Sequence, residues 1–99
     1  MQKGGAVYIM TNQHHTVLYT GVTSNLQARV QEHIQEVYPK SFTAKYNCKK
    51  LVWYELLGSI EEAIIREKQI KKRNRAYKEL LITTMNPGWN DLWETIKDW

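Results

Sequence analysis

Apolar positions along the chain follow two periods, and their succession predicts the elements. Ala6–Met10 is short, β-branched and aromatic, which predicts a strand just after Gly4 and Gly5 end a short polar leader. The polar, turn-like stretch Thr11–Thr16 separates it from a second strand, Val17–Val22. Two strands this close in sequence favour an antiparallel hairpin. Its loop is too long for a two-residue turn to set the register.

From Leu26 the period changes. Leu26, Val30, Ile34 and Val37 form one helical stripe, with Thr23, Ser24 and Asn25 as cap residues and Pro39 as the expected stop. A polar, basic stretch leads into a third strand, Leu51–Leu57, closed by Gly58. Ser59 and Glu62 supply a capping pattern, S-x-x-E, for a long helix through Ile60, Ala63, Ile64 and Ile70. That helix continues or restarts near Arg75 through Tyr77, Leu80 and Leu81, until Asn86-Pro87-Gly88 breaks it. Trp89, Leu92, Trp93, Ile96 and Trp99 are spaced for a short docking helix. The order β-β-α-β-α-α makes a small sheet covered by helices, an α/β or α+β arrangement.

Composition narrows this picture. Ninety-nine residues, 42% hydrophobic and 24% charged, suit one soluble domain over 1–99. A single cysteine, Cys48, excludes an internal disulfide, and His14, His15 and His33 match no zinc spacing. With no signal-peptide pattern and no apolar run long enough to span a bilayer, a soluble, cytoplasmic protein without membrane contact is expected. The net charge of +4 favours an anionic partner. Its clusters matter more: Lys40, Lys45, Lys49 and Lys50 precede the third strand, and Arg66–Lys78 reads REKQIKKRNRAYK. Taken alone, such runs are as often solvated helix faces.

Polar residues that interrupt apolar stripes carry more information, because a buried polar group needs a partner. Glu67 lies three residues from both Ile64 and Ile70 and so falls on the apolar side. It requires a metal, a hydrogen-bond network or an ion pair with a lysine or arginine. Arg29 and His33 form an i, i+4 pair beside Val30 and Ile34. Either they face an anion together or they are ordinary surface residues. Tyr8 and Tyr19 lie on the two hairpin strands, where alternation allows both rings on one face. Core packing is the ordinary explanation for such a pair.

Together these residues resemble the GIY-YIG nuclease module, particularly its compact stand-alone bacterial forms. The first motif stands as Ala6-Val7-Tyr8, separated by ten residues from Tyr19-Thr20-Gly21, with Ala6, Val7 and Thr20 replacing the usual glycine and isoleucines. The likeness continues through Asn25-Leu26-x-x-Arg29-Val30-x-x-His33 and Arg66–Lys72, and ends at Asn86–Leu92. The resemblance implies a central three-stranded antiparallel sheet flanked by helices. It matches Tyr8 and Tyr19 to the hairpin tyrosines, Arg29 to the catalytic arginine, and His33 to a histidine or tyrosine position. Glu67 matches the metal ligand, and Asn86 an asparagine of the site. A lysine that excision-repair relatives carry after the second glycine is Val22 here.

The implied activity is endonucleolytic hydrolysis of DNA phosphodiesters, in repair, recombination or processing. A hard ion, Mg²⁺ or Mn²⁺, suits a single carboxylate. Arg29 would hold non-bridging oxygens through paired hydrogen bonds. A free phenol titrates near pH 10, so roughly one in a thousand is ionised at neutral pH. A tyrosine base is nevertheless implied, Tyr8 ahead of Tyr19, with Tyr19 orienting water or phosphate and His33 able to share the role. Lys45, Lys49, Lys50, Lys68, Lys71, Lys72, Arg73 and Arg75 become contacts to backbone phosphates, giving binding that weakens steeply with salt. The chain is expected to act as a monomer or weak homodimer. Two other readings stay open: a nucleic-acid-binding module without turnover, and a protein-interaction domain using the tail Trp89–Trp99.

Overall fold

A computed structural model describes residues 4–99; the polar leader before Gly4 lies outside them. Three antiparallel strands, β1 (Gly5–Thr11), β2 (Leu18–Thr23) and β3 (Lys50–Leu57), pair in the order β2-β1-β3. β1 is central, and all seven of its residues are buried. Its alternation explains why. Ala6, Tyr8 and Met10 pack on one face with Leu26, Val30, Cys48, Leu51 and Ile96. Val7 and Ile9 pack on the other with Val52, Trp53, Ala63, Ile70 and Ile82. A register shift at Ile9/Met10 pairs them with Trp53 and Leu51, leaving Val52 as an extra residue. Neighbouring Val52 and Trp53 consequently serve the same core.

Helix α1 (Leu26–Ile34) lies on the Tyr8 face. It ends before the sequence pattern expects. Glu36 takes φ 53°, its N–H donates to His33 O, and the Val37 N–H donates to Glu32 O. This is a left-handed C-terminal cap built on a non-glycine residue. It removes Val37 from the stripe and leaves it 49% exposed, so Pro39 plays no part in the stop. The basic stretch that follows contains an unexpected single turn, α2 (Phe42–Lys45), capped by the Ser41 hydroxyl.

Ser59 caps α3 (Ile60–Lys71) as the S-x-x-E pattern predicts, its Oγ accepting from the Glu62 N–H. The Glu62 carboxylate reaches one residue further back and accepts from the Gly58 N–H. Asn74 caps α4 (Arg75–Met85), so the long pattern restarts rather than continues. Ile82 is its buried residue, with Tyr77 and Leu81 half-buried; Leu80 and, on α3, Ile64 are exposed, contrary to the expected stripe.

The tail docks through α5 (Trp93–Ile96), with Ile96 fully buried on the Tyr8 face. The Leu92 N–H donates to Leu51 O, and Asp91 Oδ1 accepts from the N–H groups of Leu51 and Trp93. The prediction thus gains one unexpected turn, α2, while α5 is the docking helix expected of the tail, and the three-stranded antiparallel sheet flanked by helices is kept. No helix among the described residues is long and apolar enough to cross a membrane.

Candidate active site

The site begins with a missing side chain. Gly21 pairs with Tyr8 across β1 and β2, and a Cβ there would overlap Tyr8 Cζ and Oη. Glycine therefore leaves room for the Tyr8 ring to lie over β2. Asn25 Oδ1 accepts the Ala28 N–H and starts α1 in a register that aims Arg29 and His33 at that ring.

Tyr8 Oη lies 2.8 Å from His33 Nε2, and His33 Nδ1 lies 2.8 Å from Thr43 Oγ1. All three residues are buried. Thr43 in turn meets Ser41 Oγ at 3.2 Å, linking the chain of hydroxyls toward the surface. Tyr19 closes one side, its ring centroid 6.3 Å from Tyr8 and 5.7 Å from His33. Arg29 closes another, its guanidinium paired with Glu32 at 3.1 Å and lying over the Tyr38 ring at 5.3 Å. Four expected site residues, Tyr8, Tyr19, Arg29 and His33, thus share one cluster. Thr43 and Glu32 belong to it too. Glu32 was legible as an i, i+3 partner of Arg29. Thr43 was not, because its contact crosses a loop that carries no pattern.

Burial, and then Tyr19, hold the Tyr8 phenol well above its ordinary value, while Arg29 pulls it down. The resting phenol is protonated, and Arg29 does not lower its pKa below the ordinary value, so the proton would have to move during the reaction. Burial first, and Arg29 second, push His33 down to about 4, with Glu32 opposing. Its ring is neutral at pH 7, with one N–H and one lone pair between Tyr8 and Thr43.

Stability should follow. An unfolded histidine titrates near 6.5, so above that pH neither state binds the proton and the contribution is complete. As pH falls toward 4 the unfolded chain takes the proton and native His33 does not, which removes up to about 3 kcal/mol. Urea unfolding at pH 7 and 4.5 is expected to show this loss in the wild type and a smaller one in His33→Gln. Equal losses in both would contradict it.

Glu67 stands between Ala63 and Ile70 on the α3 face that packs against the sheet. Its side chain is only 13% exposed, as the pattern predicts, and its carboxylate pairs with Lys71 at 3.0 Å. It shares no hydrogen bond, ion pair or ring contact with the Tyr8 cluster, and α3 occupies the opposite face of the sheet. No group of three or more metal-ligating side chains occurs among the described residues. A single sheltered carboxylate, balanced by a half-exposed lysine able to swing away, fits an ion that keeps most of its waters.

Asn86 has another employment. Its buried amide donates to Val52 O and Asn90 O and accepts from the Asn90 N–H. It clamps the turn after α4 and shares no hydrogen bond with the Tyr8 cluster.

The basic residues divide. Lys45 lies over the Tyr46 ring on the Tyr8 side, and Lys49 pairs loosely with Glu36. Lys49 and Lys50 also line an open cleft of about 470 Å³ with Thr11, Gln13, Asn47 and Asp91. Lys68 and Lys72 are exposed at the end of α3, and Arg73 stacks on Tyr77. Arg75 donates to the carbonyls of His15 and Thr16 and to Glu79, which ties the hairpin loop to α4. The aromatic tail is also engaged: Trp93 packs on the core and Trp99 meets Tyr54 edge-on at 5.5 Å.

Comparison with known proteins agrees with this geometry. The GIY-YIG catalytic domain family matches residues 4–80. A UPF0213 protein of Syntrophus aciditrophicus is 42% identical over 76 residues, 77% of this chain and 86% of that protein. One of Clostridium perfringens is 37% identical over 78 residues, 79% of this chain and 82% of that protein. The solution NMR structure of a UPF0213 protein from Bacillus halodurans aligns with a TM-score of 0.52 and 27% identity, covering 94% of each chain. With the hairpin tyrosines and the α1 arginine facing one another inside the matched region, the chain belongs to the GIY-YIG family.

Proposed function

We propose that this protein is a divalent-metal-dependent endonuclease that hydrolyses DNA phosphodiester bonds, in repair, recombination or processing. GIY-YIG domains are generally endonucleases and bind nucleic acid. The observation that carries the reading here is the buried Tyr8–His33–Thr43 hydrogen-bond chain with Arg29 beside it.

Arg29 holds two non-bridging oxygens of the scissile phosphate through parallel N–H donors, and Tyr19 orients the attacking water. Tyr8 begins protonated, so it acts by relay: its oxygen takes a proton from water as its own passes to His33 Nε2. That requires the tautomer in which His33 Nδ1–H donates to Thr43 Oγ1. The resulting imidazolium is disfavoured in the free protein by burial first and by Arg29 second. A bound phosphate neutralises that guanidinium and eases the transfer. Glu67 lies on the helix that covers the other face of the sheet and packs along β2, an edge strand. It would therefore hold the metal where a bound strand rounds that edge from Arg29; the ion would there supply charge neutralisation at the phosphate and at the leaving oxygen.

The test is a cleavage panel: end-labelled single-stranded, duplex and branched DNA with Mg²⁺ or Mn²⁺, and with chelator. Cutting by the wild type that stops with chelator and survives Lys97→Ala, a surface lysine paired with Glu94, is the expected result. Binding without cutting in every metal would leave only a nucleic-acid-binding module.

A further inference from the structure

Beside the site, the α1–α2 region exposes aromatic rings, Phe42, Tyr46 and Tyr38, that the hydrolytic chemistry does not use. They extend from Tyr19 of the site, which is half-buried and on which Phe42 stacks at 5.8 Å and 30°. Tyr46 follows at 4.7 Å from Phe42. The row leaves the interior: Tyr8 is buried and Tyr19 half-buried, while Phe42 is 46% and Tyr46 40% exposed. Tyr38, also exposed, flanks it under the Arg29 guanidinium. Scattered surface apolar residues need no explanation, but a contiguous row of large rings marks a binding surface. The charge beside it is positive: Lys45 Nζ lies 5.4 Å from the Tyr46 ring centroid.

We infer that Tyr19, Phe42 and Tyr46 form a stacking platform for unpaired bases of a nucleic-acid strand. Rings interleaved with cations suit a polyanion that carries π-faces, which is the chemistry of a single strand. In a duplex those faces are already stacked on one another and cannot reach Phe42. The platform continues through Tyr19 to Tyr8, beside which Arg29 lies, so a strand lying on it would lead toward Arg29. The inference rests on the nuclease reading for its purpose, and it narrows the substrate class to strands with unpaired nucleotides beside the cut: single-stranded, frayed or branched.

Its test needs no turnover. Fluorescence anisotropy in chelator would follow binding of three labelled ligands: an oligothymidylate, an abasic strand of equal length, and a duplex. The wild type is expected to bind the oligothymidylate about tenfold more tightly than the abasic strand. Phe42→Ala and Tyr46→Ala should erase that preference while keeping the circular-dichroism spectrum, and Phe42→Trp should restore it. Equal affinity for the two strands overturns the inference. So does a preference that survives Phe42→Ala, or one that Phe42→Trp fails to rescue. Concentration-dependent dimerisation abolished by Phe42→Ala, without any base preference, would assign the rings to a second copy instead. Base preference without cutting in the cleavage panel leaves the platform standing and removes the nuclease; cutting without base preference does the reverse.

Discussion

Arg29→Lys is expected to lower cleavage about a hundredfold or more, while the unfolding midpoint stays close to that of the wild type. Removing one preorganised donor from an oxyanion site costs roughly this much. Lysine keeps the charge, and on the same stem it still reaches Glu32, the present partner of Arg29. It does not reproduce the planar fork that grips two phosphate oxygens at once. It also stacks less well on Tyr38, which helps fix the guanidinium. Because the fork would grip the bound phosphate and grip the more highly charged transition state harder still, KM should rise along with the fall in kcat. Steady-state cleavage with circular dichroism on both proteins checks this. Near-native cleavage by the lysine variant would mean that Arg29 supplies charge alone.

Tyr8→Phe should act differently. The ring stays in the core and only the hydroxyl leaves, so the packing beside Gly21 is kept. The His33 Nε2 then loses its buried partner at a cost of about 1–3 kcal/mol. If Tyr8 passes the water proton to His33, kcat should fall about 10²- to 10⁴-fold with KM little changed. The contrast with Arg29→Lys separates a proton-transfer group from a phosphate-holding group. A Tyr8→Phe enzyme with near-normal kcat would transfer the base role to Tyr19 or to solvent.

Most of the scaffold was readable before any coordinates, because period and capping chemistry are local. The β1 alternation separated Tyr8 from Val7, and Ser59 marked the start of α3. The misreadings were also local. Val37 continued a stripe that a left-handed Glu36 cuts short, and no residue type announces that conformation as glycine would. The turn of α2 covers four residues, too few to show a period. It nevertheless supplies Thr43, the third member of the buried hydrogen-bond chain.

The site was only partly legible. Tyr8, Tyr19, Arg29 and His33 meet because strand alternation and helical spacing, both sequence properties, bring them to one face. Asn86 matched the motif, yet its amide serves the turn that follows it. Glu67 is sheltered as its neighbours implied, but which side of the sheet α3 would cover depends on crossover geometry that no spacing records.

That carboxylate therefore bears the most direct test. Cleavage of a labelled strand should be followed over a Mg²⁺ titration with the wild type and Glu67→Gln, which keeps size and polarity but loses the charge. The proposed mechanism predicts saturable, metal-dependent cutting by the wild type and a rate at least about a hundredfold lower in the variant at every Mg²⁺ concentration. Equal rates would show that Glu67 serves only its pairing with Lys71, and that the metal, if it acts at all, is held elsewhere.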